Sequence, residues 1–266
     1  MQPVLFLSHG GGPLPLLNDP SHQPMLDTFS AIKQALNRLE NLPSAIILIS
    51  AHWQADNYQI TGAKQPELIY DYYGFPAESY AIEYPANGNP ELAEQIFAQL
   101  TANQLSASIN QKRGYDHGMF VPLKLLYPSA HIPVIQVSLN LNDDPAEHIK
   151  LGEKLAHFRK QNVLMIGSGF SFHQIPAFFN PAYHNKLHLA EAFHLWLDQQ
   201  MIESSDYPSQ KQALINWQTV EGANFSHPTA DHILPLHVCL GIAQNTVTKT
   251  YSFKLNQWPA RCYWWD

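Results

Sequence analysis

Cysteine is almost missing from this chain. Cys239 and Cys262 are its only two, too few for a disulfide framework and without the paired spacing of a metal finger. A reducing, cytoplasmic setting suits such a composition. Basic residues are also scarce: Lys and Arg number 15 against 22 Asp and Glu, for a formal net charge of -7. No cluster of them could neutralise a row of phosphates, which argues against a nucleic-acid partner. No apolar run approaches the length needed to span a bilayer, and residues 1–7 lack the basic start and long apolar stretch of a secretion signal. A soluble protein without a membrane partner is expected. Internal repeats and low-complexity tracts are absent as well.

What is present is apolar material, 45% of the residues, spread without a polar gap and sufficient for a large interior. A length of 266 residues suits a single catalytic domain over residues 1–266, one α/β unit with long functional loops. Short runs rich in β-branched residues at 3–8, 45–50, 133–139 and 163–167 predict buried parallel strands. Helix-period segments lie between them at 25–39, 90–102 and 145–161, the last with an apolar face at Leu151, Leu155 and Phe158. A longer helical stretch at 183–203 precedes a loop at 204–209, and another helix is predicted over 235–244. The alternation predicts an α/β fold: a central, mostly parallel sheet flanked by helices. Residues 67–89, dense in Tyr, Pro and Gly, read as an ordered excursion that could wall a pocket.

Histidine is the anomaly. There are 14, nearly as many as Lys and Arg together, and histidine is both the commonest metal ligand and the side chain that titrates near neutral pH. In open α/β sheets, ligands gather beyond the carboxyl ends of the strands. His9 ends the first apolar run, His52 the second, and His173 follows the fourth in Gly167-Ser168-Gly169-Phe170-Ser171-Phe172-His173. His117, in Asp116-His117-Gly118, and His232, in Pro228-Thr229-Ala230-Asp231-His232, could reach the same rim. Two or three neutral imidazoles that leave positions open make a site for zinc or Fe(II). The glycines after His9 would let backbone approach a ligand without Cβ obstruction.

A lone histidine after a strand is more often a hydrogen-bonding structural residue than a ligand. Three at one rim reverse that balance. His22, His131, His148, His157, His184, His188, His194 and His237 lack such placement and read as surface or packing residues. His184 and His188 have i,i+4 spacing but no zincin glutamate. His227, near His232, is a weaker candidate. Tyr70, Tyr72, Tyr73 and Phe75 read as core aromatics.

With these residues in place, the sequence resembles the class III extradiol ring-cleaving dioxygenases, in particular their DOPA 4,5-dioxygenase branch. The resemblance runs in family order through Ser8-His9-Gly10, Ser50-Ala51-His52-Trp53, Tyr73-Gly74-Phe75-Pro76, Tyr84-Pro85-Ala86-Asn87-Gly88, Asp116-His117-Gly118, the His173 loop and Pro228-Thr229-Ala230-Asp231-His232. It implies that His9, His52 and His232 hold one divalent metal, Fe(II) for oxygenase chemistry or Zn(II) as isolated. It implies that His173 is an acid/base histidine, a task suited to a pKa near neutrality, or a fourth ligand, and that His117 is a second catalytic histidine orienting substrate or O2. A small catechol and O2 are the implied partners, acted on by a monomer or homodimer. Gly10-Gly11-Gly12-Pro13, where the family more often has Gly-Ser/Thr-Pro, and the tail at 258–266 depart from the pattern. Both departures bear on the pocket floor and on substrate preference.

Two other classes compete. His9-Gly10-Gly11-Gly12 looks like an esterase oxyanion-hole motif, but no Gly-x-Ser-x-Gly elbow follows a strand, and Ser168 lacks that frame. A zinc hydrolase on the same histidines would activate water instead. A non-catalytic binding relative would have no use for His173.

Overall fold

All four apolar runs form strands. The computed structural model describes residues 1–204 and 206–266. Its strands are β1 (Val4–Ser8), β2 (Ala45–Ala55), β3 (Tyr58–Thr61), β4 (Ala107–Asn110), β5 (Val134–Asn140), β6 (Val163–Gly169), β7 (Lys249–Leu255) and β8 (Trp258–Trp265). They build one eight-stranded sheet in the order β4-β3-β5-β2-β6-β1-β8-β7. The four predicted strands are its centre, and their pairings β1–β6, β6–β2 and β2–β5 are all parallel. The short parallel pair β3–β4 joins β5 through one antiparallel contact, Ile60 opposite Val137. On the other side β7 and β8 form an antiparallel hairpin that pairs with β1. The tail that looks anomalous in the sequence is therefore a sheet strand, with Trp264 and Trp265 buried.

The helices are α1 (Gln23–Leu36), α2 (Pro90–Ala102), α3 (His117–Leu126), α4 (Pro145–Leu155), α5 (Ile175–Phe179), α6 (Leu187–Asp198), α7 (Tyr207–Ile215), α8 (Ala223–Ser226) and α9 (Leu234–Ala243). They cover both faces of the sheet. Val4, Phe6, Ile47 and Ile49 pack with residues of α2, α4, α6, α7 and α9. Leu5, Leu7, Ile46 and Leu48, the alternate positions, pack with α1 and α3. Strands buried on both faces are apolar at most positions, which is why they stand out as runs, with hydrogen-bonded exceptions such as Gln136 and Ser138 of β5.

The predicted helix at 25–39 stops at Leu36, and two others break into shorter pieces. The 145–161 segment is α4 followed by a 3-10 turn, Ala156–Gln161, and 183–203 divides into a 3-10 turn, α6 and a π turn. Of the loop predicted at 204–209, residue 205 lies outside the described residues. Asp206 already caps α7 by accepting from the Ser209 N–H. Glycine sets one helix contact: a Cβ on Gly152 of α4 would lie 2.1 Å from the Val238 carbonyl of α9, and one on Gly241 of α9 would lie 2.1 Å from the Ile149 carbonyl of α4. Among the described residues no helix is long and apolar enough to cross a membrane.

Candidate metal centre

β2, β6 and β1 are adjacent and parallel, so their carboxyl ends open on one rim. His9 immediately follows β1. His52 sits near the end of β2, where the ladder to β5 breaks: Ile49 faces Val137 while Gln54 faces Leu139, five residues along β2 against two along β5. An irregularity of this kind turns a side chain out of the sheet. The backbone of His52 is pinned there. Its N–H donates to Ser50 Oγ at 3.2 Å, and its carbonyl accepts from Arg113 Nη2 at 3.2 Å. His117 opens α3, whose preceding residue is Asp116. His232 is carried by the turn before α9, pressed so closely on β6 that a Cβ on Gly169 would lie 2.2 Å from the His232 carbonyl.

The rings converge. Nε2 of His52 lies 3.1 Å from Nε2 of His9 and 3.3 Å from Nε2 of His232. The other ring nitrogens are engaged behind them. Ser168 Oγ gives its proton to the Gly118 carbonyl, so it can only accept from Nδ1–H of His9, at 3.0 Å. His232 Nδ1 lies 2.7 Å from the Asp231 carboxylate, which also only accepts. Nδ1 of His52 faces Asp71 Oδ2 at 3.5 Å. For His9 and His232 these partners place the proton on Nδ1 and leave the Nε2 lone pair toward His52 Nε2; the 3.5 Å contact of His52 with Asp71 is a charge contact, not a hydrogen bond. Lone pairs that close repel unless a cation lies between them. Ligands about 2.05 Å from a tetrahedral ion sit roughly 3.3 Å apart, and the two separations from His52 fit that value.

Burial first, then the neighbouring imidazoles, holds His9 and His232 well below the usual histidine range. His52 is lowered to about 3 by burial, with His117 adding to the effect. Neutral imidazole is the form that ligates. His173 stacks flat on His232, centroids 3.3 Å apart at 12°, and its backbone N–H donates to the Ser226 carbonyl at 2.7 Å. Its pKa is not near neutrality: burial pushes it down to about 4. Candidate ligand atoms of His9, His52 and His117 lie within 4.8 Å of one another, as do those of His173, Asp231 and His232. The Nε2 contacts of His52 join the two groups.

All five rim histidines thus meet, and the remaining ones stand elsewhere. His227 is buried, its Nε2 bonded to the Ser171 carbonyl at 2.9 Å. His184 and His188 are exposed on the surface. Asp71 and Ser168, which sequence reasoning gave no part in the site, prove to hold its histidines, and Asp231 gains a role of its own. Two further expectations change. The glycines after His9 make room for protein, since a Cβ on Gly10 would meet Met25 Sδ at 2.7 Å and one on Gly12 the Phe75 ring at 3.2 Å. Of the four aromatics, Tyr72 is buried with its ring 5.7 Å from that of His117, but Tyr73, at the turn made by Gly74 with φ +78°, is 91% exposed.

Comparison with known proteins agrees with this geometry. Residues 3–261 match the family described as the catalytic LigB subunit of aromatic ring-opening dioxygenase. The chain is 38% identical over 259 residues to the dioxygenase tasH of Hapsidospora irregularis, covering 91% of this chain and 78% of that protein. It is 34% identical over 243 residues to the 4,5-DOPA dioxygenase extradiol of Beta vulgaris, covering 90% and 86%. In fold it resembles an uncharacterized protein of Escherichia coli K12, with a TM-score of 0.78, 24% identity and full coverage of both chains.

Proposed function

The chain belongs to the LigB family of aromatic ring-opening dioxygenases and is an extradiol dioxygenase; from that premise we propose that residues 1–266 form one catalytic domain that opens a catechol such as DOPA with O2. The proposed metal ligands are His9, His52 and His232. The observation that carries this reading is the convergence of their Nε2 atoms, with Nδ1 of His9 and of His232 bonded to an acceptor behind it. Such acceptors fix ligand tautomer and ring orientation. Fe(II) bound there would supply a Lewis acid and a path for electrons between catechol and O2, whereas zinc would supply only the first.

The remaining groups act on protons and position. His173, neutral because burial lowers it to about 4, accepts a catechol hydroxyl proton as substrate binds and returns a proton later in turnover. Its flat contact with His232 supports this role beside the proposed metal. His117, whose Nδ1 faces Asp71, presents its remaining nitrogen to the substrate. Tyr72, beside it, walls that side of the pocket against water. The protein is proposed to work in the cytoplasm, which its two unpaired, buried cysteines suit.

The test is oxygen uptake by Fe(II)-reconstituted protein offered DOPA, caffeate and protocatechuate. Uptake matched by a yellow ring-opened product is expected, with no uptake by the zinc-loaded form. Absence of uptake with Fe(II) bound would reject the reading, and ester turnover indifferent to O2 would replace it with a zinc hydrolase. His173→Ala should keep its metal while kcat falls about 10²–10⁴-fold, the usual share of a general acid or base. Loss of metal from that variant would make His173 a fourth ligand instead.

A further inference from the structure

Asp71 lies on the Tyr-rich excursion, in a stretch without regular secondary structure, yet its carboxylate faces two histidines of the centre. One oxygen, Oδ1, accepts from both the backbone N–H and the ring Nδ1–H of His117, each at 2.9 Å. The other, Oδ2, is the atom 3.5 Å from Nδ1 of His52. The two rings lie with their centroids 3.9 Å apart, so one carboxylate backs a pair of imidazoles in contact.

The excursion is locked to the chain that leads into His117. The Ile69 N–H donates to the Tyr115 carbonyl at 2.7 Å, and the Tyr115 N–H donates to the Glu67 carbonyl at 2.8 Å. Glycine permits this approach, since a Cβ on Gly114 would lie 2.4 Å from the Glu67 carbonyl. On either side of Asp71, Tyr70 donates its hydroxyl proton to the Ile82 carbonyl at 2.8 Å and Tyr72 donates to the Ser79 carbonyl at 2.6 Å. The carboxylate is therefore held from both flanks. A carboxylate can only accept, so it selects the His117 tautomer with the proton on Nδ1. A flip of the ring would set carbon against Oδ1 and lose the bond.

We propose that Asp71 is the positioning residue for His117, holding the ring as its Nδ1–H tautomer with Nε2 free for the substrate. The tautomer stands on geometry alone; its kinetic consequence rests on the dioxygenase reading. The first test uses two-bond ¹H–¹⁵N spectra of zinc-loaded, histidine-labelled protein, with the His117 signal identified by its loss in His117→Gln. The Nδ1–H form is expected in the natural protein and in Asp71→Asn, which keeps an acceptor oxygen. In Asp71→Ala the signal should move toward the other tautomer. An unchanged signal in Asp71→Ala overturns the proposal.

Kinetics of the Fe(II) form supply the second test. Asp71→Ala should raise KM for DOPA about 10–100-fold, the usual cost of losing a partner behind a site histidine, with a smaller change in kcat and rescue by Asp71→Asn. In a His117→Gln background the same substitution should add little. An equal loss in that background would show that Asp71 acts through His52 or the fold, and would overturn the assignment. If the natural protein opens no catechol, the dioxygenase reading fails while the tautomer comparison still decides the role of Asp71.

Discussion

Replacing His52 with alanine is expected to remove metal and turnover together while leaving the protein folded. His52 is the vertex of the cluster: its Nε2 is the atom that approaches both His9, at 3.1 Å, and His232, at 3.3 Å. Structural zinc sites of four ligands bind with about 10–16 kcal/mol, or roughly 3 kcal/mol per ligand, so losing one of three should weaken binding by about 10²–10³-fold. Activity should fall at least as far, because the two histidines left cannot hold an ion between substrate and O2. Folding should survive, since the ring lies where β2 has already left its ladder to β5 and its backbone bonds to Ser50 and Arg113 do not need the side chain. Metal content after dialysis and the melting temperature of the metal-free forms check the two halves. Full retention of metal would mean that His117, whose ligand atom lies within 4.8 Å of those of His9 and His52, belongs to the ligand set.

The parts legible in sequence are those where one physical rule governs many residues. β1, β2, β5 and β6 are buried on both faces, so each is a mainly apolar run, interrupted in β5 by the buried Gln136 and Ser138, and parallel strands end on a common rim, which is how the sequence alone brings His9, His52 and His173 together. The outer strands obey no such rule. β3 and β4 are four residues each, and the β4 sequence Ala107-Ser108-Ile109-Asn110 is only half-buried throughout. β8 is buried at seven of its eight positions with no alternation, which hides its strand character behind a run of aromatics.

The support behind the rim histidines is hidden for a different reason. Asp71 meets His117 across 46 residues of sequence from a segment with no period to read. Its function is set by where Tyr70 and Tyr72 anchor their hydroxyls, a tertiary fact. In the sequence Ser168 is set aside as a nucleophile, because Gly167-Ser168-Gly169 lacks the Gly-x-Ser-x-Gly frame. Its position beside the Gly118 carbonyl and His9 makes it the acceptor that orients the His9 ring.

The largest loss of stability is expected from Asp116→Ala. Asp116 is completely buried; burial, with the charge of Asp71 adding to it, pushes its carboxyl above the ordinary range, while Ser50 and Arg113 pull it back. It accepts from Ser50 Oγ at 2.7 Å, from Arg113 Nη2 at 3.1 Å, and from the Gln136 amide. The network has little to spare, since Arg113 Nε and Gln136 Oε1 are already without partners. Alanine would leave a half-buried guanidinium, an amide and a hydroxyl with no carboxylate to receive them. Breaking a buried pair from one side costs about 3–5 kcal/mol, which in a chain of this size lowers the melting temperature by on the order of 10 °C. Asp116→Asn, keeping the shape and one acceptor, should lose less. The effect should reach the metal centre, because Ser50 and Arg113 are the groups that pin the His52 backbone and Asp116 immediately precedes His117. Metal affinity of the alanine variant, measured well below its melting temperature, should therefore fall with stability; unchanged affinity would show that the rim histidines are held by the strands alone.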